Sequence, residues 1–390
     1  MQLSESISRI SVSPTAAVVM KADKLKSSGI NLVDFGAGEP DFPTPENIKR
    51  AAIEALEKNF TKYTATGGIR ELKAAIVERH ARDFGSHYAP EECLVTVGGK
   101  QAIFEAVAAT VNPGDEVLLP VPYWVSFLDI IRYAGGNAVL VATDQEKNFA
   151  LTAAEAAKRI TPKTRMMIVN SPNNPTGAVV PPEEMQKVVA LAIERDLLLL
   201  SDECYCHFLY DGRKPYSLGS TRERDHLVIT GSFSKTYSMT GWRVGYALGT
   251  EKLLSSMLKL QSHSTSNPTS FAQRGALEAL RGPQDSIARM LAEYTRRRDS
   301  IVEGLRAIPG VRLMKPQGAF YVYPDISAYL KKDGVADATK LAEKLLDEAH
   351  VAVVPGPAFG TEDHVRISYA TSLDQINEGL GRMKDFFAKL

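Results

Sequence analysis

A lysine, two serines and an arginine lie within a short segment that follows an apolar strand. Ser232, Ser234 and Lys235 come just after Leu227-Val228-Ile229, and Arg243 follows eight residues beyond the lysine. An amine can condense with a carbonyl group, and a guanidinium with nearby hydroxyls can bind a phosphate. These residue types favour a site for a phosphate-bearing aldehyde. The ordinary alternative is a solvated lysine, but the apolar sequence on both sides of Lys235 argues against it.

A carboxylate ends a second apolar run. Asp202 follows Leu197-Leu198-Leu199-Leu200-Ser201, where a buried charge is costly unless a cation meets it. A protonated ring nitrogen would supply that cation and would let the ring accept electron density. The alternative is that Asp202 caps the start of a following helix.

These residues must be positioned by a larger framework. Between about Asn47 and Leu280, short apolar runs alternate with helical patterns, which is typical of repeated βα units. The continuous apolar character of the runs indicates an α/β fold whose mostly parallel central sheet carries helices on both faces. Ligands of such sheets bind outside the carboxyl ends of the strands, where Asn170, Asp202 and Ser232 lie. Strands are predicted at 94–97, 116–119, 138–141, 165–170, 197–202, 227–230 and 244–248.

The pattern changes after Pro268. A long charged helical stretch at 271–306 is interrupted at Arg281-Gly282-Pro283, which predicts a helix break. Strands at 319–323, 351–353 and 365–369, with helices at 338–349 and from 372, indicate a smaller α+β domain. We predict an N-terminal segment at 1–45 that associates with the small domain and a dimer partner, a large domain at 46–285 and a small domain at 286–390.

Composition excludes several classes of protein. The 390 residues are 44% hydrophobic, and 46 basic residues balance 46 acidic ones, so no overall charge favours nucleic acid or an anionic membrane as a partner. The apolar runs are far shorter than the roughly 20 residues of a membrane span, and the first ten residues do not resemble a secretion signal. Three cysteines do not form a disulfide framework, so we expect a cytoplasmic protein, and no ligand set for a metal is visible.

The order of the motifs resembles that of the class I and II aminotransferases, in the fold type I group of pyridoxal 5′-phosphate enzymes. Ser-x-Ser-Lys with Gly-x-Arg-x-Gly stands at 232–245, Asp-x-x-Tyr at 202–205, Asn-Pro-x-Gly at 174–177 and Gly-Gly-Lys-Gln at 98–101. The resemblance implies pyridoxal 5′-phosphate as cofactor, with Lys235 forming a Schiff base to it. The freed lysine would then move a proton between the substrate and the cofactor.

The resemblance also implies a role for each further residue of the cofactor site. Asp202 pairs with the pyridine nitrogen, Tyr205 and Asn174 contact the ring oxygen, and Trp124 stacks on the ring. Tyr63 reaches the phosphate of the neighbouring subunit, which implies a homodimer. The expected cofactor-binding residues are Gly99, Lys100, Trp124, Asn174, Asp202, Tyr205, Ser232, Ser234, Lys235, Arg243 and Tyr63.

The nearest resemblance is to prokaryotic aspartate aminotransferases, in which the lysine of Gly-Gly-Lys-Gln meets the side-chain carboxylate of aspartate. Arg366 is expected to bind the α-carboxylate with two parallel hydrogen bonds. We therefore expect a ping-pong transfer of the amino group of L-aspartate to 2-oxoglutarate, giving oxaloacetate and L-glutamate. The expected substrate-binding residues are Gly38, Lys100, Trp124, Asn174, Arg366 and Ser13.

Three other functions remain alternatives. An aminotransferase for aromatic amino acids or prephenate would keep the reaction class and change the substrate. A pyridoxal-phosphate-dependent lyase would need no 2-oxoacid acceptor. A catalytically silent, cofactor-sensing regulator is disfavoured, because the sequence has no N-terminal helix-turn-helix pattern and no excess of basic residues.

Overall fold

The computed structural model describes residues 3–390. The strands are β1 Val33–Asp34, β2 Cys93–Thr96, β3 Glu116–Val121, β4 Asn137–Ala142, β5 Thr164–Asn170, β6 Leu198–Asp202, β7 Leu227–Ser232, β8 Gly245–Leu248, β9 Tyr321–Val322, β10 Val351–Ala352, β11 Val354–Pro355 and β12 Val365–Ser368. The helices are α1 Glu5–Ser8, α2 Pro14–Ser27, α3 Glu46–Glu57, α4 Arg70–Phe84, α5 Gly99–Thr110, α6 Val125–Tyr133, α7 Ala153–Ala157, α8 Pro182–Glu194, α9 Phe233–Thr236, α10 Glu251–Ser264, α11 Ser270–Arg281, α12 Asp285–Arg306, α13 Ala338–Ala349 and α14 Leu373–Phe387.

A seven-stranded sheet forms the centre of the larger part of the molecule, in the order β2-β8-β7-β6-β5-β3-β4. The strands from β7 to β4 run parallel to one another. Strand β8 is antiparallel to both of its neighbours, β2 and β7. The prediction of a mostly parallel central sheet is confirmed.

Both faces of this sheet are buried. In β5, Met167 and Val169 face one hydrophobic core, while Met166 and Ile168 face another. Residues of α4, α8 and α11 belong to the first core, and residues of α5, α6 and α10 to the second. Because side chains alternate along a strand, burial on both faces produces the continuous apolar runs of the sequence. The predicted α/β architecture is confirmed.

A smaller α+β region follows. Strands β11, β12 and β9 form an antiparallel sheet, and β1 pairs in parallel with β10 through Val33 and Val351. This pairing brings the N-terminal segment to the small region.

Helix α11 ends at Arg281 and α12 begins at Asp285, so the predicted helix break is confirmed. The domain boundaries at residues 45 and 285 stay predictions. Within residues 3–390, no helix combines the length and apolar character that crossing a membrane requires.

Candidate active site

Three polar residues end neighbouring parallel strands at one edge of the central sheet. Asn170 ends β5, Asp202 ends β6 and Ser232 ends β7. Asn170 and Asp202 are paired in register, and the Asn170 amide Nδ2 donates to Asp202 Oδ2 over 3.2 Å. The backbone N–H of Asn174 donates to Asn170 Oδ1 over 2.9 Å. Asn170, which the sequence placed at the ligand-binding edge of the sheet, therefore holds two of the predicted site residues in place.

The Asp202 carboxyl is 7% exposed. Its Oδ1 accepts the backbone N–H of Cys204 over 3.1 Å, so Asp202 caps a turn as well as facing the site. Burial raises the pKa of Asp202 to about 7, although the Cys204 N–H opposes the shift. A buried carboxyl of this kind is stabilised in its charged form by a cation placed against it. A protonated pyridine nitrogen fits this requirement.

Lys235 lies in the short helix α9, directly after β7. Its Nζ is part-buried and donates to the backbone carbonyl of Gly38. Burial is the main cause that lowers the pKa of Lys235, and the positive charges of Arg366 and Arg243 act in the same direction. A lysine with a lowered pKa loses its proton more readily, which both nucleophilic attack and general base catalysis require.

The residues predicted to bind the phosphate converge at the start of α5. This helix begins at Gly99 after Gly98, whose φ is +82°, and the first N–H groups of a helix have no partner within it. A Cβ atom at Gly98 would collide with the Arg243 guanidinium, and one at Gly99 would lie 3.2 Å from the Cβ of Ser232. Arg243 has a φ of +53° and donates to the Thr240 carbonyl over 2.7 Å. A cation, a hydroxyl-bearing residue and a helix N-terminus therefore surround one small space.

Ser232 and Ser234 differ in what they do locally. Ser232 Oγ accepts the backbone N–H of Ser234 over 3.1 Å and caps α9. Ser234 is buried. A contact of the Ser234 side chain with the cofactor stays a prediction.

A cleft of about 580 Å³ opens beside Arg243 and is lined by Lys100, Ser13 and Val125. The Nζ of Lys100 lies 5.0 Å from the centre of the Trp124 ring. Desolvation and the neighbouring Arg243 lower the pKa of Lys100. The structure thus brings Ser13, the most loosely matched of the predicted substrate residues, to the same cleft as Lys100.

Arg366, on β12, is only 2% exposed. Its Nη1 donates to Asn174 Oδ1 over 3.2 Å and its Nη2 donates to the Gly36 carbonyl over 2.7 Å. Its Nε is buried and meets no acceptor among residues 3–390. A buried donor without a partner is costly, and a substrate carboxylate would satisfy it. Arg366 therefore lies in the interior of the folded chain and not in solvent.

Two buried tyrosines meet on the opposite side of this arginine. The hydroxyl oxygens of Tyr205 and Tyr321 lie 2.7 Å apart. The guanidinium carbon of Arg366 lies 4.6 Å from the centre of the Tyr321 ring. Tyr321 was not among the predicted site residues. The motif Gly318-Ala319-Phe320-Tyr321 offered only a short apolar strand, so no signal separated this tyrosine from other core residues.

Tyr63 lies on the surface of the chain. Its side chain is 91% exposed and follows α3 in the chain. Its predicted contact is with the neighbouring subunit, so its position in one chain does not test that prediction.

The arrangement fits pyridoxal 5′-phosphate. Asp202 would face the ring nitrogen, Tyr205 the ring oxygen, and Lys235 the aldehyde carbon. Gly99, Ser232 and Arg243 would hold the phosphate, because a helix N-terminus, a hydroxyl-bearing residue and a guanidinium lie close together there. Among the described residues 3–390, no cluster of three or more His, Cys, Asp or Glu side chains could hold a metal ion.

Comparison with known proteins agrees with this geometry. Residues 30–383 match the family "Aminotransferase class I and II". The chain is 43% identical to an aspartate aminotransferase of Bacillus sp. (strain YM-2), over 98% of each chain. It is 44% identical to an aspartate/prephenate aminotransferase of Thermus thermophilus, over 97% of each chain.

A solved structure of aspartate aminotransferase from Thermus thermophilus with maleate superimposes with a TM-score of 0.94, at 42% identity and 99% coverage of both chains. The match of the family extends over most of the chain, and the fold is shared throughout. This protein therefore belongs to the class I and II aminotransferases and uses pyridoxal 5′-phosphate.

Proposed function

We propose that the protein is an aspartate aminotransferase that transfers the amino group of L-aspartate to 2-oxoglutarate. The observation that carries this proposal is a pair of cationic groups at the site. Arg366 has a buried Nε without an acceptor among residues 3–390, and Lys100 lies against the Trp124 ring in a cleft that Arg243 also lines. The charges of Arg366 and Arg243 both act on Lys235. Two cations suit a substrate with two carboxylates. Two relatives that are 43% and 40% identical to this chain are named aspartate aminotransferases, which supports the same substrate.

Each residue has a task that its surroundings support. Pyridoxal 5′-phosphate supplies an electron sink that stabilises negative charge at the α-carbon of a bound amino acid. Asp202 keeps a proton on the pyridine nitrogen, since a buried carboxylate is stabilised by the cation it faces. Arg366 and Asn174 orient the α-carboxylate, and Lys235 takes the α-proton at its Nζ.

The same lysine then serves in both directions. Lys235 Nζ would hold the proton taken from the α-carbon and could give it up again, because burial lowers the pKa of this amine and weakens its hold on a proton. Gly99, Ser232 and Arg243 would hold the cofactor, whose chemistry would carry the amino group from one half-reaction to the next. A second 2-oxoacid would then bind to Arg366 and Lys100, which gives a two-step, ping-pong exchange.

Prephenate is a second candidate substrate. Relatives in Aquifex aeolicus and Thermus thermophilus, each 44% identical to this chain, are named for both aspartate and prephenate. Prephenate also carries two carboxylates, so Lys100 and Arg366 suit it for the same reason as aspartate. A pure preference for aromatic amino acids would leave Lys100 without a charged partner.

We also propose that the protein acts as a homodimer in the cytoplasm. A large aromatic side chain as exposed as Tyr63 is typical of an interface residue, and the resemblance gives that tyrosine a contact with the neighbouring phosphate. The three cysteines are free, which suits a reducing compartment.

Coupled kinetics with a panel of amino acids test the substrate. Replacing Lys100→Met should lower kcat/KM for L-aspartate about 100-fold, because a charge-assisted contact of roughly 2 to 3 kcal/mol is lost, while aromatic amino acids should change less than about threefold. The exposed Lys252→Met is the matched control and should change neither. Equal losses for aspartate and phenylalanine would contradict the role of Lys100. Release of pyruvate or ammonia without a 2-oxoacid acceptor would indicate a lyase instead.

A further inference from the structure

Tyr321 contacts both Tyr205 and Arg366. Its side chain is fully buried, at 0% exposure, on strand β9 of the small region. Strand β9 pairs with β12, which carries Arg366, and Tyr321 lies opposite Ser368 in that pairing. The proposed ligand of the cofactor oxygen, Tyr205, belongs to the segment that follows β6 of the central sheet. Tyr321 therefore connects the small region to the edge of the central sheet.

The hydroxyl of Tyr321 has one close partner in the site. It lies 2.7 Å from the Tyr205 hydroxyl. Burial raises the pKa of both phenols, so each carries its proton at neutral pH. In a pair of protonated hydroxyls, one donates to the other, and the acceptor keeps its own proton for a third group. If Tyr205 donates to the ring oxygen of the cofactor, Tyr321 must be the residue that donates to Tyr205.

The ring of Tyr321 has a separate contact. The guanidinium carbon of Arg366 lies 4.6 Å from the ring centre, within the range of a cation–π interaction. This contact is with the face of the guanidinium, whose Nη1 and Nη2 donate to Asn174 and Gly36 and whose Nε has no acceptor among residues 3–390. A Cβ atom at Gly38 would lie 3.0 Å from the Tyr321 hydroxyl, so the N-terminal loop packs against the same side chain.

We propose that Tyr321 is a positioning residue with two separable functions. Its hydroxyl orients Tyr205 toward the cofactor oxygen, and its ring holds Arg366 in place for the substrate carboxylate. This inference rests on the proposed roles of Tyr205 and Arg366, and it predicts that the two functions are lost in different variants.

Tyr321→Phe removes the hydroxyl and keeps the ring. A poorer hydrogen bond from Tyr205 leaves more negative charge on the cofactor oxygen, so the pH at which the visible band of the bound cofactor changes should move upward. Affinity for pyridoxal 5′-phosphate should fall about fivefold, the effect of one neutral hydrogen bond. The KM for L-aspartate should stay within about twofold, because the cation–π contact is kept.

Tyr321→Leu removes both contacts. It should show the same change in the visible band and, in addition, raise the KM for L-aspartate about tenfold, the effect of losing a desolvated cation–π contact. Tyr329→Phe is the matched control, because Tyr329 is also a buried tyrosine of the small region. Its hydroxyl donates to the Pro309 carbonyl and not to a residue of the site. It should leave the band, the cofactor affinity and the KM unchanged.

A double-mutant comparison tests whether Tyr321 acts through Tyr205. In Tyr205→Phe, adding Tyr321→Phe should move the band no further, since the group that receives the hydrogen bond is already gone. An unchanged band and cofactor affinity in Tyr321→Phe would overturn the inference, and so would additive shifts in the double variant. These readouts need no substrate. If the wild-type protein did not use aspartate, the substrate proposal would fall while the cofactor measurements still decided the role of the hydroxyl.

Discussion

Asp202 is a carboxyl whose proton depends on what faces it. Burial raises its pKa to about 7, above the roughly 3.9 of a carboxyl in an unfolded chain. The cofactor-free folded chain therefore keeps a proton on Asp202 over a pH range in which the unfolded chain has lost it. By linkage, this contribution to stability is complete below about pH 4 and is lost as the pH rises through about 7.

The stability of the cofactor-free protein should reflect this titration. Between pH 5 and pH 8, wild-type protein should lose about 2 kcal/mol more stability than Asp202→Asn, because asparagine has no proton to lose. Urea unfolding of both proteins at the two pH values measures the difference. Parallel pH profiles for the two proteins would contradict the raised pKa.

At the same scale, the sequence identified residues by their chemistry but not by their contacts. Asp202 ends one apolar strand, and Lys235 closely follows another. Both were identified because these strands end at the same edge of a mostly parallel sheet. The burial of Arg366 was not evident, since the alternation of a strand places an arginine equally well in solvent. Tyr321 was missed because its partners, Tyr205 and Arg366, are distant in sequence and meet only in the folded chain.

Helix α5 offers a test at the scale of an element, since its first residues form the proposed phosphate site. Gly98→Ala should lower affinity for pyridoxal 5′-phosphate about tenfold or more. The positive φ of this position is strained for alanine and costs roughly 1 to 3 kcal/mol. The new Cβ atom would also displace the Arg243 guanidinium. Equilibrium titration of the cofactor-free protein, followed by the visible band, measures this change.

Gly381→Ala on α14 is the matched control. Nothing lies within 4 Å of a Cβ atom there, so cofactor affinity should not change, and alanine should favour the helix slightly. Equal affinity of Gly98→Ala and wild type would contradict a phosphate site at this turn.

Most elements could be predicted because their patterns are local. The seven strands of the central sheet were all predicted, with limits that differ by a few residues from those observed. The antiparallel direction of β8 could not be predicted, because a buried strand has the same apolar pattern in either direction. Strand β11, Val354–Pro355, was missed, because it has only two residues and Pro355 begins the segment Pro355-Gly356-Pro357, whose composition is typical of a turn.

For the whole molecule, an exchange of subunits tests whether the exposed Tyr63 completes the site of a neighbouring chain. A subunit that lends Tyr63 to its partner can rescue a partner that lacks it. Lys235→Ala and Tyr63→Ala should each be nearly inactive alone. After the two proteins are unfolded and refolded together, mixed dimers should regain activity, because one of their two sites then contains both Lys235 and Tyr63.

The control is a mixture of Lys235→Ala with Asp202→Asn. Both residues come from the same subunit in this structure, so no mixed dimer contains a complete site. Recovery in this control, or no recovery in the mixture of Lys235→Ala and Tyr63→Ala, would contradict the shared site.

We expect Lys235 to be the amine that binds pyridoxal 5′-phosphate covalently. Reduction of the cofactor-loaded protein with borohydride, followed by peptide mass mapping, tests it directly. We predict one pyridoxyl group per chain, on the peptide that contains Lys235. An adduct on Lys100, the other lysine of the site, or no adduct with excess cofactor present, would contradict the account.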